Sequence, residues 1–76
     1  MKIYDLIPTD DWKSFYSKAK VFIEDDGTET LYSYNMPIIK RTPTGELVKL
    51  WDDWTATTGR HINAFCGLNK AAYMAL

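Results

Sequence analysis

The side chains best suited to chemistry lie in one short segment around the single histidine. His61 is the only side chain whose unperturbed pKa lies near neutrality, and it follows Thr57-Thr58-Gly59-Arg60. At the start of a helix these residues would present unpaired N–H groups, close access at Gly59 and the forked donor of Arg60. Together with Asn63 they predict a candidate site for an anion or a partner. The alternative is an ordinary helix cap with Arg60 in solvent.

The residues near this segment do not form a catalytic or metal site of their own. On a helix His61 and Cys66 diverge by roughly 140°, so a local Cys–His pair is not expected and Cys66 is interpreted as a small buried apolar residue. One His and one Cys cannot supply four zinc ligands of those types. Adjacent acids point apart in strands and helices alike, which excludes local carboxylate dyads at Asp10-Asp11, Asp25-Asp26 and Asp52-Asp53. We therefore expect no catalytic residues, no metal site, no cofactor and no enzyme.

Tryptophan and tyrosine form the second candidate set. The chain has three Trp and five Tyr among 76 residues, more than a thin core needs. Aromatic rings are enriched at interfaces and stack on unpaired bases, but they also supply the most burial per residue. Periodicity places five rings in the core: Trp12, Phe15, Tyr16, Phe22 and Phe65. The candidate aromatic surface, for which core packing is the alternative, consists of Tyr32, Tyr34, Trp51 and Trp54.

Length, charge and hydropathy limit the class of protein. A chain of 76 residues is expected to form one small domain, residues 1–76. Nine basic and ten acidic residues give a net charge of −1, which argues against a basic nucleic-acid binder and against an acidic tail. There is no secretory signal pattern and no apolar run of about 20 residues. We expect a cytoplasmic protein without membrane contact.

The elements that must position these residues begin with a predicted helix from about Asp10 to Lys18. Its apolar side chains at Trp12, Phe15, Tyr16 and Ala19 have the spacing of one helical face. Strands follow at Val21–Ile23, at 30–40 and at 46–51, separated by turns at Asp26-Gly27 and 42–45. Pro37 predicts an edge, a bulge or a strand end within the middle strand. These short connections predict a three-stranded antiparallel meander.

Helical signals return at the C-terminal end. Thr58, Ile62, Phe65 and Cys66 share a helical face, and Gly67 occupies the position of a C′ glycine. Asn69 can cap a final short helix through Met74. The predicted fold class is α+β: a small three-stranded antiparallel meander with an N-terminal helix and one or two C-terminal helices packed on one face, in the order α-β-β-β-α-α.

Two motifs carry a resemblance to known sequences. They are the segment Leu31-Tyr32-Ser33-Tyr34-Asn35-Met36-Pro37 and the helix start 54–65, with its Thr-Thr-Gly-Arg-His-Ile-Asn run. The chain resembles, over about residues 30–68, a family of small uncharacterised proteins from Gram-positive bacteria, their phages and mobile elements. Met36 departs from that family's pattern, which has Thr there. The resemblance implies a phage or mobile-element context and carries over no catalytic residue.

The sequence favours a non-catalytic protein-interaction module whose partner is a host protein, a phage protein or a second copy. The alternative is a weak nucleic-acid-binding accessory protein in which Arg60, His61 and nearby basic residues face phosphate. Tyr32, Tyr34 or Trp54 would then stack on bases, although near-neutral charge opposes binding that depends on phosphate neutralisation. A small ribonuclease-like activity using Arg60, His61 and a tyrosine is the third possibility considered.

Overall fold

The computed structural model describes residues 2–6 and 18–76. These residues form a five-stranded antiparallel sheet whose strands lie side by side in chain order. The strands are β1 (Lys2–Asp5), β2 (Ala19–Ile23), β3 (Glu29–Ser33), β4 (Met36–Arg41) and β5 (Leu47–Lys49). The helices α1 (Ala56–Cys66) and α2 (Lys70–Met74) follow the sheet.

The predicted architecture is wrong, although the α+β class and the antiparallel pairing are confirmed. The sheet has five strands rather than three, and the first described element is a strand, not a helix. This strand, β1, pairs with β2 from Lys2↔Ile23 to Asp5↔Lys20. It is a short, exposed edge strand, and its four residues are too few to show a clear alternation. Except for Lys18, the predicted helix at Asp10–Lys18 lies outside the described residues.

The other unpredicted strand arises because residues 30–40 fold back on themselves. Tyr34 and Asn35 form a two-residue turn between Ser33 and Met36, with φ values of 52° and 67°. Positive φ at both positions matches the hairpin turns whose twist suits flanking strands. Asn tolerates this conformation, but a bulky ring rarely adopts it. The sequence therefore lacks the glycine signal on which a turn prediction depends.

Pro37 lies at a β-bulge, as one of its predicted alternatives required. Leu31 pairs with Ile39 and Tyr32 pairs with Pro37, so Ile38 is the extra residue of β4. The bulge buries both Ile38 and Ile39. β5 pairs with Ile39–Arg41, beyond Pro37, so the missing proline N–H breaks no bond in that ladder.

The predicted turns and caps in the rest of the chain are confirmed. Asp26 Oδ1 accepts the Thr28 N–H at 2.8 Å, and Gly27 has φ of 96°. In α1 the Thr55 hydroxyl accepts the Thr58 N–H, and Gly67 ends the helix with φ of 78°. Asn69 Oδ1 accepts the Ala72 N–H at 2.8 Å and so caps α2.

The two faces of the sheet differ in what covers them. We call the helix-covered side the inner face, and its strand residues Ala19, Val21, Leu31 and Ile39 form one buried core with Ile62, Phe65 and Tyr73 of the helices. We call the opposite side the outer face, defined by Ile3, Asp5, Lys20, Phe22, Thr30, Tyr32, Lys40 and Val48. No helix of the described residues is long and apolar enough to cross a membrane.

Tyr73 fastens α2 to the sheet. Its ring is fully buried, and its hydroxyl lies within hydrogen-bond distance of the carbonyl oxygens of Trp51 and, at 3.0 Å, of Ile38. Lys49 Nζ donates to the Met74 carbonyl at 3.3 Å on the same side. Burial raises the pKa of the Tyr73 phenol, so it stays a neutral donor. A helix of five residues is held here by one anchored ring rather than by its own length.

Candidate functional site

The first turns of α1 divide the predicted anion-site residues between two sides of the helix. Thr58, Gly59 and His61 are buried, whereas the other three, Thr57, Arg60 and Asn63, are exposed. The predicted set therefore does not converge on one surface.

The start of α1 uses its polar groups within the chain. Thr55 Oγ1 accepts the Thr58 N–H at 3.1 Å, and the Thr55 carbonyl accepts the Gly59 N–H at 2.7 Å. A Cβ added at Gly59 would lie 2.4 Å from Cζ2 of Trp54. The close approach that Gly59 allows is therefore that of an indole ring and not of a ligand.

A buried polar cluster, consisting of Ser33, Thr58 and His61, joins β3 to α1. Ser33 Oγ lies 2.8 Å from His61 Nδ1 and 3.1 Å from Thr58 Oγ1. Burial lowers the pKa of His61, which favours the neutral imidazole. Each of the three residues is at most 6% exposed. Ser33 Oγ thus links the two α1 side chains to β3 inside the core, which is the arrangement expected of buried polar groups that specify packing.

A hydroxyl bonded to an imidazole is also the pairing that activates a serine nucleophile. In this chain Ser33 is 3% exposed and His61 is 1% exposed, so a substrate carbonyl has no approach to the Ser33 oxygen. The arrangement can hold a proton between two core elements, but its depth in the core opposes attack on a substrate. Sequence spacing gives no sign of this contact, because the two residues are 28 positions apart.

Cys66 lies near the end of α1 and is half-buried. Its Sγ donates to the Ile62 carbonyl at 3.4 Å, and burial raises the pKa of the thiol. Sequence analysis interpreted Cys66 as a small buried apolar residue, and the structure places it against the core but only partly buried. Among the described residues no group of three or more His, Cys, Asp or Glu side chains is placed to hold a metal ion.

The four candidate aromatic residues do not form one surface. Trp51 and Trp54 pack against the core, and the Trp54 ring lies 5.7 Å from that of Tyr73. Tyr34, in the β3–β4 turn, has its ring 5.9 Å from the His61 ring and 5.8 Å from Lys18 Nζ. Only Tyr32 of the four belongs to the outer face.

Tyr32 pairs there with a ring that periodicity assigned to the core. The rings of Tyr32 and Phe22 are 4.5 Å apart and tilted by 41°. Both rings are half-buried, so neither is sealed in the core. The alternation of Ala19, Val21 and Ile23 with Lys20 and Phe22 is the signal that places Phe22 on the outer face.

The ring pair belongs to a concavity of 220 Å³ on the outer face, which we call the outer pocket. It is lined by Ile3, Lys18, Lys20, Phe22, Tyr32 and Asn35. These lining residues come from β1, from β2 with the residue before it, from β3 and from the β3–β4 turn. Asp5 lies opposite Lys20 in the ladder but does not line the pocket.

Fold and site together define a small α+β domain whose sheet carries helices on its inner face and an aromatic, lysine-rimmed pocket on its outer face. The chain belongs to a family of unknown function, DUF8033, whose model matches residues 1–74. No curated protein and no solved structure matches the chain.

Proposed function

We propose that the chain is a non-catalytic protein-interaction module that binds its partner with the outer face of its sheet. The observation that carries this proposal is the half-buried Phe22–Tyr32 ring pair in the outer pocket. In an antiparallel sheet with one solvated face, that face is expected to carry mainly polar side chains. Two adjoining aromatic rings at these positions call for a covering partner instead.

One further apolar side chain adjoins the ring pair, and another lies at the opposite edge of the outer face. Ile3 on β1 is 55% exposed, and Val48 on β5 is 37% exposed. Ile3 adjoins the ring pair, whereas Thr30 and Lys40 separate Val48 from it. An exposed apolar patch bordered by polar side chains marks protein interaction sites. Aromatic residues are also the side chains most enriched at such sites.

The setting of the interaction is a further part of the proposal. The resemblance to small proteins of Gram-positive bacteria and their phages supports a phage or mobile-element context in the cytoplasm. The partner is then a host protein, a phage protein or a second copy of the chain. The family match adds no partner, because the family's function is unknown.

Photo-crosslinking tests the outer face directly. Benzoylphenylalanine is placed one position at a time at Thr30 and Lys40 on the outer face, and at Lys70 in α2 as the control, in cells that naturally carry the protein. We expect the two outer-face positions to capture the same protein and Lys70 to capture none. The captured protein, once purified, should bind the Tyr32→Ala variant about tenfold more weakly than the parent chain. Capture from Lys70 alone would contradict the proposal.

Nucleic-acid binding is the second candidate, in a form that the structure changes. His61 is buried in the polar cluster, so the version that uses it against phosphate loses support. Lys18 and Lys20 line the pocket beside the two rings, and Lys40 lies on the same face, which favours contact with a single strand. Titration of labelled oligothymidine at low salt tests this candidate. Affinity that falls with added salt and with Lys20→Gln would support it.

A further inference from the structure

We infer that the outer pocket binds an acidic peptide segment of the partner, with one apolar side chain inserted against the rings and a flanking carboxylate at the lysines. Ile3, Phe22 and Tyr32 supply the apolar contact, and Lys18 and Lys20 supply the charge. This inference rests on the proposed protein-interaction function and names the chemistry of the partner's binding segment.

The size of the pocket favours a side chain over a free ligand. Its volume of 220 Å³ is below the roughly 300–1,000 Å³ of pockets that enclose small molecules. A shallow site of this size covers one apolar side chain and leaves the peptide backbone on the surface. The two ring edges and Ile3 then desolvate that side chain, which is how anchor residues contribute most to an interface.

The positive charge around the pocket favours acidic residues next to the inserted apolar side chain of the peptide. Lys18 and Lys20 both line the pocket, and no acidic side chain is among the described residues that line it. Asn35 at the β3–β4 turn adds an amide that can donate to a carboxylate or a peptide carbonyl. Opposite charges across an interface increase the association rate and disfavour partners of the wrong sign.

The same observations favour a peptide over a nucleic acid. The centroids of the Phe22 and Tyr32 rings are 4.5 Å apart, and the ring planes are tilted by 41°. The rings therefore form an apolar cleft rather than two parallel platforms on which bases could stack. The net charge of the chain is −1, and two lysines in the pocket offer little of the phosphate neutralisation that drives nucleic-acid affinity.

The test is a nuclear magnetic resonance titration of the ¹⁵N-labelled full chain with defined probes. The acidic probe is acetyl-Ser-Glu-Glu-Leu-Glu-Glu-Ser-amide. Its controls replace every Glu by Lys, or the Leu by Ala, and oligothymidine is the nucleic-acid probe. We expect the acidic probe to shift the amide signals of Lys20, Phe22 and Tyr32 in a saturable way. The Lys probe should give no saturable shift, and the Ala probe should bind about tenfold more weakly.

Matched variants connect the binding to the named side chains. The double variant Lys18→Gln, Lys20→Gln should weaken the acidic probe about tenfold, whereas Lys70→Gln, the same change in α2, should leave its affinity unchanged. Tyr32→Ala should weaken it by a similar factor while the dispersion of the spectrum stays that of the folded chain.

Three results of the titration would overturn the inference. They are equal shifts with the Glu and Lys probes, a stronger response of the pocket to oligothymidine, and no saturable shift with the acidic probe. These failures are distinct from failure of the proposed function. Crosslinking from Thr30 and Lys40 to a protein whose bound segment is not acidic would remove the inference and leave the interaction module standing. Absence of any outer-face crosslink would remove the interaction module itself.

Discussion

Neighbouring residues of the same strand differ in burial because they lie on opposite faces of the sheet. Val21 and Leu31 on the inner face are fully buried, whereas Phe22 and Tyr32, the next residues of the same strands, are only half-buried. The larger rings are therefore on the less covered side. The size of a side chain therefore does not decide whether it is buried in this small domain. The face that α1 and α2 cover becomes the core, and the residues on that face are buried.

Polar groups show the same contrast. On the inner face, Ser33 and His61 are buried and share a hydrogen bond. Arg41 at the inner edge donates to Glu29 at 2.8 Å and stacks over the Phe65 ring at 4.5 Å. On the outer face, by contrast, Lys18 and Lys20 line an open pocket. The inner face thus holds its polar groups within the fold, whereas the outer face, which we propose binds a partner, leaves its lysines at an open pocket.

The largest expected difference is between Leu31→Ala and Tyr32→Ala, two adjacent truncations on opposite faces. Leu31→Ala removes a fully buried side chain and should lower the free energy of unfolding by roughly 2–5 kcal/mol. Tyr32→Ala removes a half-buried ring and should cost about 1 kcal/mol. Urea denaturation followed by circular dichroism measures both. Equal losses would show that the outer rings are as much a part of the core as Leu31.

Gly59→Ala tests how tightly the inner side of α1 is packed. Alanine normally favours a helix interior by about 1 kcal/mol over glycine, but here its Cβ would lie 2.4 Å from the Trp54 ring. We expect a net loss of about 1–3 kcal/mol from overpacking. In a Trp54→Leu background the clash is removed, so the same substitution should become neutral or stabilising. A loss that persists in that background would place its cause outside the Trp54 contact.

The pH dependence of stability should follow the polar cluster. Burial holds the pKa of His61 below its usual 6.5, so below about pH 6.5 the unfolded chain binds the proton more strongly than the folded chain. The contribution of His61 to stability is therefore complete above that pH. It decreases by up to about 1.4 kcal/mol for each pH unit until the pKa of the folded state is reached.

The comparison of the parent chain with His61→Asn isolates this contribution. Both are unfolded in urea at about pH 7.5 and about pH 5.5. Asn retains a polar group near the Ser33 oxygen but does not titrate in this range. The parent chain should lose more stability between the two pH values than the variant loses. An identical loss in both chains would assign the acid sensitivity to the carboxylates.

The turns, caps and C-terminal helices could be predicted from sequence because each depends on local chemistry. Asp26-Gly27, Gly67 and Asn69 specify their conformations within a few residues. The two missed strands lacked such signals, because Tyr34 is an unusual turn residue and β1 is a short edge strand. The Ser33–His61 bond and the outer pocket depend on strand register and bulge position. These arise from tertiary packing, which a linear pattern does not contain.

The smallest expected effect on stability is that of Lys20→Gln on the outer face. Lys20 is half-buried beside the outer pocket, outside the core, so its neutralisation should change the free energy of unfolding by no more than about 0.5 kcal/mol. Lys70→Gln in α2 should be equally neutral, and urea denaturation of both variants provides the measurement. Comparing the two variants distinguishes the outer face from α2, because only Lys20→Gln should also weaken binding of the acidic peptide. A loss of stability well above that limit at Lys20 would mean that its charge serves the fold, and the functional contrast between the two faces would then fail.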